Sequence, residues 1–304
     1  MNNRNQSLND RRRIYGDDWQ AEIQEIIGGA SGGFLFGIPL LYTMEVWFIG
    51  AYVQPPVLLG ILAITFIIVL LINRIEGFRP QESETWPGSI AETFETLAIG
   101  IVCSALMLII LKRIDLQTSL TEALGQIIFE SVPFSVGVAF SRSLISGNPR
   151  DSEVNNQSNS SSSSFRNQKS IVWHDTIADF SATIIGALFV AFSIAPTDEV
   201  TMLAASATSP WLLLIMVASL LISYAIVFAS TITNYQQRRQ QSGLFQTPQS
   251  ETVISYILSF FVGMMMLWFF QKISVSDPWF LWLRYGIILS LPASIGGAAG
   301  RLAV

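Results

Sequence analysis

The residues of this chain that could do chemistry are carboxylates set in oily sequence. Glu22-x-x-Glu25 opens one apolar run, Glu92-x-x-Glu95 a second, Asp175-x-x-x-Asp179 a third and Glu251 a fourth. At i, i+3 or i, i+4 spacing each pair shares one helix face. If these helices start on the same membrane surface, the acids form a ring that concentrates cations or passes protons between neighbours. The plain structural alternative is that acids in a helix's first turn complement its dipole and still reach water. That alternative covers Glu22, Asp175 and Glu251 best; for Glu25, Glu92, Glu95 and Asp179, which lie deeper, both readings stand. Glu130 is different, because it falls near the middle of its run, where an ionised group costs roughly 2.5 to 3.5 kcal/mol on insertion scales. It lies three residues before Pro133, whose ring removes a helical hydrogen bond, and beside Ser131 and Ser135. A kinked helix with a buried carboxyl and two hydroxyls suits the holding of an ion or proton, and a neutral glutamate that only ties helices together is the alternative. Arg284, about one turn inside the last run, either pairs with a carboxylate such as Glu130 or snorkels to the interface.

The elements that position these residues are dictated by composition. Only 13% of the 304 residues are charged and 51% are hydrophobic, with a mean hydropathy of +0.48, against about a quarter charged in a soluble chain. The apolar residues form long blocks, such as 57–72 and 100–111. A backbone in hydrocarbon must satisfy its own N–H and C=O groups, so such blocks are spanning helices. The expected fold is all-α: a polytopic membrane helix bundle of eight transmembrane helices at about 23–46, 55–73, 91–111, 121–142, 173–195, 210–232, 251–271 and 280–302. Trp47, Trp86, Trp211, Trp279 and Trp282 sit near the expected span ends, as an aromatic belt requires. Glu45 and Glu199, at outer helix ends, are expected to face water.

Lysine and arginine set the orientation. With the amino terminus cytoplasmic, Arg4, Arg11, Arg12, Arg13, Arg74, Arg79, Arg142, Arg150, Arg166, Lys169, Arg238, Arg239 and Arg301 lie inside, and only Lys112, Arg113, Lys272 and Arg284 outside. Both termini are then cytoplasmic, in a multi-pass membrane protein. The domains expected are a cytoplasmic tail over 1–22, a four-helix unit over 23–145, a Ser/Asn-rich linker over 146–170 that buries nothing and should be disordered, and a second four-helix unit over 171–304.

Shifted by 159 residues, Glu130-Ser131-Val132-Pro133-Phe134-Ser135-Val136-Gly137 falls on Leu289-Ser290-Leu291-Pro292-Ala293-Ser294-Ile295-Gly296, and Arg142 on Arg301. A shift of 154 pairs Trp19 with Trp173, Glu25 with Asp179, Gly32 with Gly186, and Pro56 with Pro210. Apolar helices resemble one another by composition, but a match in Ser, Pro, Gly and Arg is harder to reach that way. The expectation is two parallel four-helix repeats related by an axis along the membrane normal. Gly28, Gly29, Gly32, Gly33 and Gly37, with Gly296, Gly297 and Gly300, provide small-residue spacing for close helix contact.

Several chemistries are disfavoured. The lone Cys103 makes no internal disulfide and the lone His174 no multi-histidine metal site. No phosphate loop, H-E-x-x-H or G-x-S-x-G occurs. An enzyme is therefore the least favoured class, and no cofactor and no nucleic-acid partner are expected. His174, beside Trp173 and Asp175, is an interfacial residue for which an exposed cap is the simpler role than a pH sensor.

Tyr15-Gly16-Asp17-Asp18-Trp19, leading into Ile27-Gly28-Gly29-Ala30-Ser31-Gly32-Gly33 and Tyr42-Thr43-Met44-Glu45-Val46-Trp47, resembles an uncharacterised family of bacterial integral membrane proteins, as do 96–112 and Phe129-Glu130-Ser131-Val132-Pro133-Phe134. The resemblance implies a multi-span protein and no particular activity. The leading functional expectation is a transporter or channel for a small cation or protons, with Glu25, Glu92, Glu95, Glu130, Asp179 and Arg284 as candidate binding residues. A non-transporting scaffold or assembly factor in the bilayer comes second.

Overall fold

The computed structural model describes residues 2–75, 86–141, 168–233 and 248–302, which form ten helices and, among the described residues, no strand. They are α1 (Asn2–Leu41), α2 (Met44–Tyr52), α3 (Pro55–Ile75), α4 (Trp86–Ile110) and α5 (Leu120–Ala139), followed by α6 (Gln168–Ile194), α7 (Glu199–Ser206), α8 (Ser209–Thr233), α9 (Pro248–Phe269) and α10 (Trp279–Leu302). Residues 146–167 of the expected linker, and Arg142 before it, lie outside the described residues.

Six helices are long and apolar enough to cross a bilayer: Glu22–Leu41 of α1, together with α3, α4, α8, α9 and α10. Bent by 87° at their junction, α6 and α7 pass the same test only as a pair, which raises the number to seven. The helix missing from the expected eight is α5, whose length suffices but whose apolarity is diluted by Glu122, Gln126, Glu130 and Pro133. Boundaries also differ. The span expected at 23–46 breaks at Tyr42 and Thr43, where Thr43 is extended (φ −132, ψ 98) and α2 starts afresh. Helical backbone reaches into the expected tail from Asn2 and into the expected linker from Gln168.

Each half is built around its last helix. α5 packs against α1, α2, α3 and α4, and α10 against α6, α7, α8 and α9. Glycine permits the closest approaches: a Cβ added at Gly32 would come within 2.5 Å of the Gly137 oxygen, and one at Gly296 within 2.5 Å of the Gly186 oxygen. Peripheral helices show the opposite pattern. Leu59, Ile64, Ile67 and Leu71 of α3 are exposed, as lipid-facing side chains should be.

α4 and α9 end in the same way. Among the described residues, Lys112 (φ 56) and Gln271 (φ 58) are the two non-glycine residues in the left-handed region. Arg113 donates its N–H to Leu108 O at 2.8 Å and Lys272 donates to Leu267 O at 2.9 Å, the six-to-one bond of a Schellman ending. Beyond this, the Asp115 carboxylate accepts from the N–H groups of Gln117 (2.8 Å) and Thr118 (3.0 Å). The Gln117 amide, then the Thr118 hydroxyl and amide and, least, Lys112, hold Asp115 below the usual carboxylate range.

Among the described residues, polar contacts join the halves at three places. Trp211 Nε1 donates to Ile110 O (2.6 Å) under the ammonium of Lys112, and Tyr42 Oη donates to Ile288 O (2.8 Å). Glu199 is buried rather than facing water, because its Oε1 accepts from the Met44 N–H (3.3 Å), one of the orphan donors at the start of α2. Glu45 is exposed, as expected.

Candidate functional site

On α5, Glu122, Gln126 and Glu130 recur every fourth residue and form a polar stripe that runs inward from the 111–119 turn. At about 1.5 Å rise per residue, Glu130 lies roughly 12 Å deeper than Glu122. Glu122 is partly exposed, whereas Gln126 and Glu130 are each only 1% exposed. Gln126 donates its Nε2–H to Glu122 Oε1 at 3.4 Å.

The opposite wall comes from α2 and the turn. Gly50 lies on Gln126, where an added Cβ would meet Gln126 Cα at 2.9 Å, and Gly125 packs in turn on Gly50. That contact lays α2 along α5 and brings Trp47, fully buried, to Glu130, with which its indole N–H interacts. No hydrogen bond of good geometry closes between them. Trp47 Nε1, Gln126 Oε1 and Glu130 Oε1 are all buried without a hydrogen-bond partner. Unsatisfied polar atoms in an interior are costly, and three on neighbouring side chains make this stretch of α5 a candidate for holding a ligand. Above the Trp47 ring, 4.5 Å from its centroid, sits the Arg113 guanidinium. Burial lowers the Arg113 pKa and the Glu122 carboxylate raises it in opposition. A guanidinium stays charged here.

The other candidates are distributed rather than gathered. Glu92 is fully buried on α4, next to hydroxyls that bind Asn73 of α3: Asn73 Nδ2 donates to Thr96 Oγ1 (3.2 Å) and Thr93 Oγ1 (3.4 Å). Glu25 and Glu95 are partly exposed and Glu22 is exposed. Asp179 accepts a salt bridge from Arg301 at 3.6 Å. No three His, Cys, Asp or Glu side chains group at metal-holding spacing among the described residues. The side chains of His174, Asp175 and Glu251 lie outside the described residues.

Arg284 neither pairs with Glu130 nor snorkels freely. It donates to the carbonyls of Ala204 (2.8 Å) and Ala207, at the C-terminal end of α7. A cation there meets the negative end of a helix dipole and fills carbonyl acceptors that the helix leaves open. Trp47 departs from its expected place in an interfacial belt, since the bend after α1 turns it into the core. Trp86 and Trp279 are exposed, as a belt requires.

The i, i+4, i+8 stripe on α5 is legible in the sequence once one face is followed instead of one helix end. Trp47, Arg113 and Asn73 reach their sites only through tertiary packing, and no local spacing announces them.

Residues 25–304 match the model of a family described as "Putative integral membrane protein (DUF2391)". No curated protein and no solved structure matches the chain.

Proposed function

The chain belongs to this family of integral membrane proteins, and on that premise we propose that it moves protons or small cations across a bacterial plasma membrane, with Glu130 as the group that takes the ion. One observation carries the reading. A carboxyl near the middle of α5 is 1% exposed, and its Oε1 has neither a hydrogen-bond partner nor an ion pair among the described residues, beside two further unsatisfied polar atoms. Intramembrane acids are expensive, and one left this poorly satisfied is better explained by a ligand than by helix adhesion.

The reading includes eight spans in two parallel repeats, with α1–α2 and α6–α7 as first spans, and α5, although less apolar, as the fourth. Support comes from the helix order, which recurs with the same breaks. It comes also from the glycine contacts Gly32/Gly137 and Gly186/Gly296, in which Gly186 follows Gly32 by 154 residues and Gly296 follows Gly137 by 159, and from the left-handed residues Lys112 and Gln271, 159 apart. The arginine and lysine distribution supports cytoplasmic termini. Glu25, Glu92, Glu95 and Asp179 are then an inner-side acidic approach, while Arg284 is a helix clamp.

The test is flux in liposomes holding purified protein and a pH-sensitive dye, with a panel of monovalent and divalent cations. Glu130→Gln should abolish a flux that wild type supports, and Glu92→Gln should reduce it. If both variants match wild type, the carboxylate reading fails. A scaffold without transport is the second reading, favoured by the Asp179–Arg301 pair, whose acid is already satisfied by protein. It predicts no flux for wild type in any ion.

A further inference from the structure

We propose that the ligand of Glu130 is the proton, and that it arrives from the side of the 111–119 turn, along Glu122 and Gln126, past a plug made by Arg113 seated on Trp47. This rests on the reading of Glu130 as the site and on the two-repeat alignment, and adds the ion and the side of entry.

The second unit serves as an internal control. At the positions aligned with Glu122, Gln126 and Glu130, α10 carries Leu281, Tyr285 and Leu289; opposite Trp47 stands Thr201, and opposite Arg113 stands Lys272. The same helix therefore packs at the centre of its half with a fully buried leucine where the first unit has a carboxyl. Packing alone does not demand an acid at this place. The turn cations differ in the same sense. Lys272 turns outward to an exposed Asp198 at 2.7 Å, whereas Arg113 turns onto a buried indole.

The column's composition selects the ion. A hard metal cation needs about six oxygens around it, and here the approach offers Glu122, one amide oxygen and Glu130, behind a fixed guanidinium. Arg113 and Glu122 together leave the mouth without net charge, which neither draws in nor holds a metal ion. A proton needs only water to bridge polar atoms, and the unsatisfied Gln126 Oε1 and Glu130 Oε1, on residues one helical turn apart, are acceptors that a bridging water would join into a relay. Among the described residues, the Trp47 indole of α2 is the side chain that acts on the Glu130 carboxyl, and the charged groups on this face are Arg113 and Glu122 at its mouth.

Two measurements on the full chain in liposomes test this without relying on flux. In a Cys103→Ser background, Glu130→Cys and, separately, Gln126→Cys are exposed to a membrane-impermeant thiol reagent from each side in turn. Modification is expected only from the side of the 111–119 turn, and several-fold faster when Arg113→Ala is added. Modification from the opposite side, or a rate indifferent to Arg113→Ala, overturns the route. In the wild-type chain, Glu130 is labelled with a hydrophobic carbodiimide, which reacts with protonated carboxyls, and read by peptide mass. Above its midpoint the labelling should fall about tenfold per pH unit, the slope of one titrating proton, and be indifferent to sodium, potassium, magnesium and calcium. Protection by any of these metals, or labelling flat across pH, overturns the proton assignment. Labelling as expected in a protein without flux would sink the transport reading and leave this one standing; flux with entry from the wrong side does the reverse.

Discussion

At the scale of single residues, several charges in this protein meet carbonyls, rings and turns. Arg284 shows it best. Its guanidinium holds the last carbonyls of α7, so Arg284→Ala removes charge-assisted bonds worth about 1.5 to 3 kcal/mol each before relaxation; a lowered thermal midpoint in detergent, with Arg284→Lys only partly restoring it, is the expected result. Both bonds leave one nitrogen, Nη2, fixed in the plane of the guanidinium, a placement that the freely rotating ammonium of lysine does not preset. Asp115 gives a pH prediction of defined sign. Its carboxyl is held below its unfolded value, so its contribution to the turn is complete above the unfolded value and lost as pH falls through the folded one. Hydrogen exchange at the Gln117 and Thr118 amides should therefore stay slow through the ordinary aspartate range and accelerate only beneath it.

At the scale of elements, backbone proximity decides what each helix tolerates. A Cβ on Gly125 would overlap the Gly50 carbonyl oxygen, while one on Gly28 meets nothing within 4 Å. Gly125→Ala should thus cost about 1 to 3 kcal/mol through overpacking and displace Trp47 from Glu130, visible as a change in indole fluorescence. Gly28→Ala should be neutral, or stabilising by up to about 1 kcal/mol through helix propensity. Equal midpoints for the two variants would contradict the contact. The same logic explains why small residues at i, i+4 spacing are readable in the sequence as contact-forming while their partners are not: Gly32 finds Gly137 and not another of the chain's glycines because α1 and α5 lie side by side, a relation more than a hundred residues away in sequence.

At the scale of the whole molecule, the eight-span reading requires the amino and carboxyl ends on the same side of the membrane. Reporter fusions at each end, one active only inside and one only outside, should give matching results; opposite results would leave an odd number of spans and remove α5 or the α6–α7 pair from the count. The membrane character, the helical class and six of the spans follow from the sequence alone, because a run of apolar side chains of bilayer length has one way to satisfy its backbone in hydrocarbon. The acids, too, were all visible, as residue types. What tertiary structure decided is which of them lie together and what each one meets. Sequence spacing grouped Glu22, Glu25, Glu92 and Glu95 by their helix starts, whereas packing placed Glu92 in the interior, tied Asp179 to Arg301, sent Arg284 to α7, and gave Glu130 a wall made by Trp47 and Arg113. Local pattern reports the face a residue occupies on its own helix; which other helix that face meets is set by glycine contacts and bends that act between distant segments.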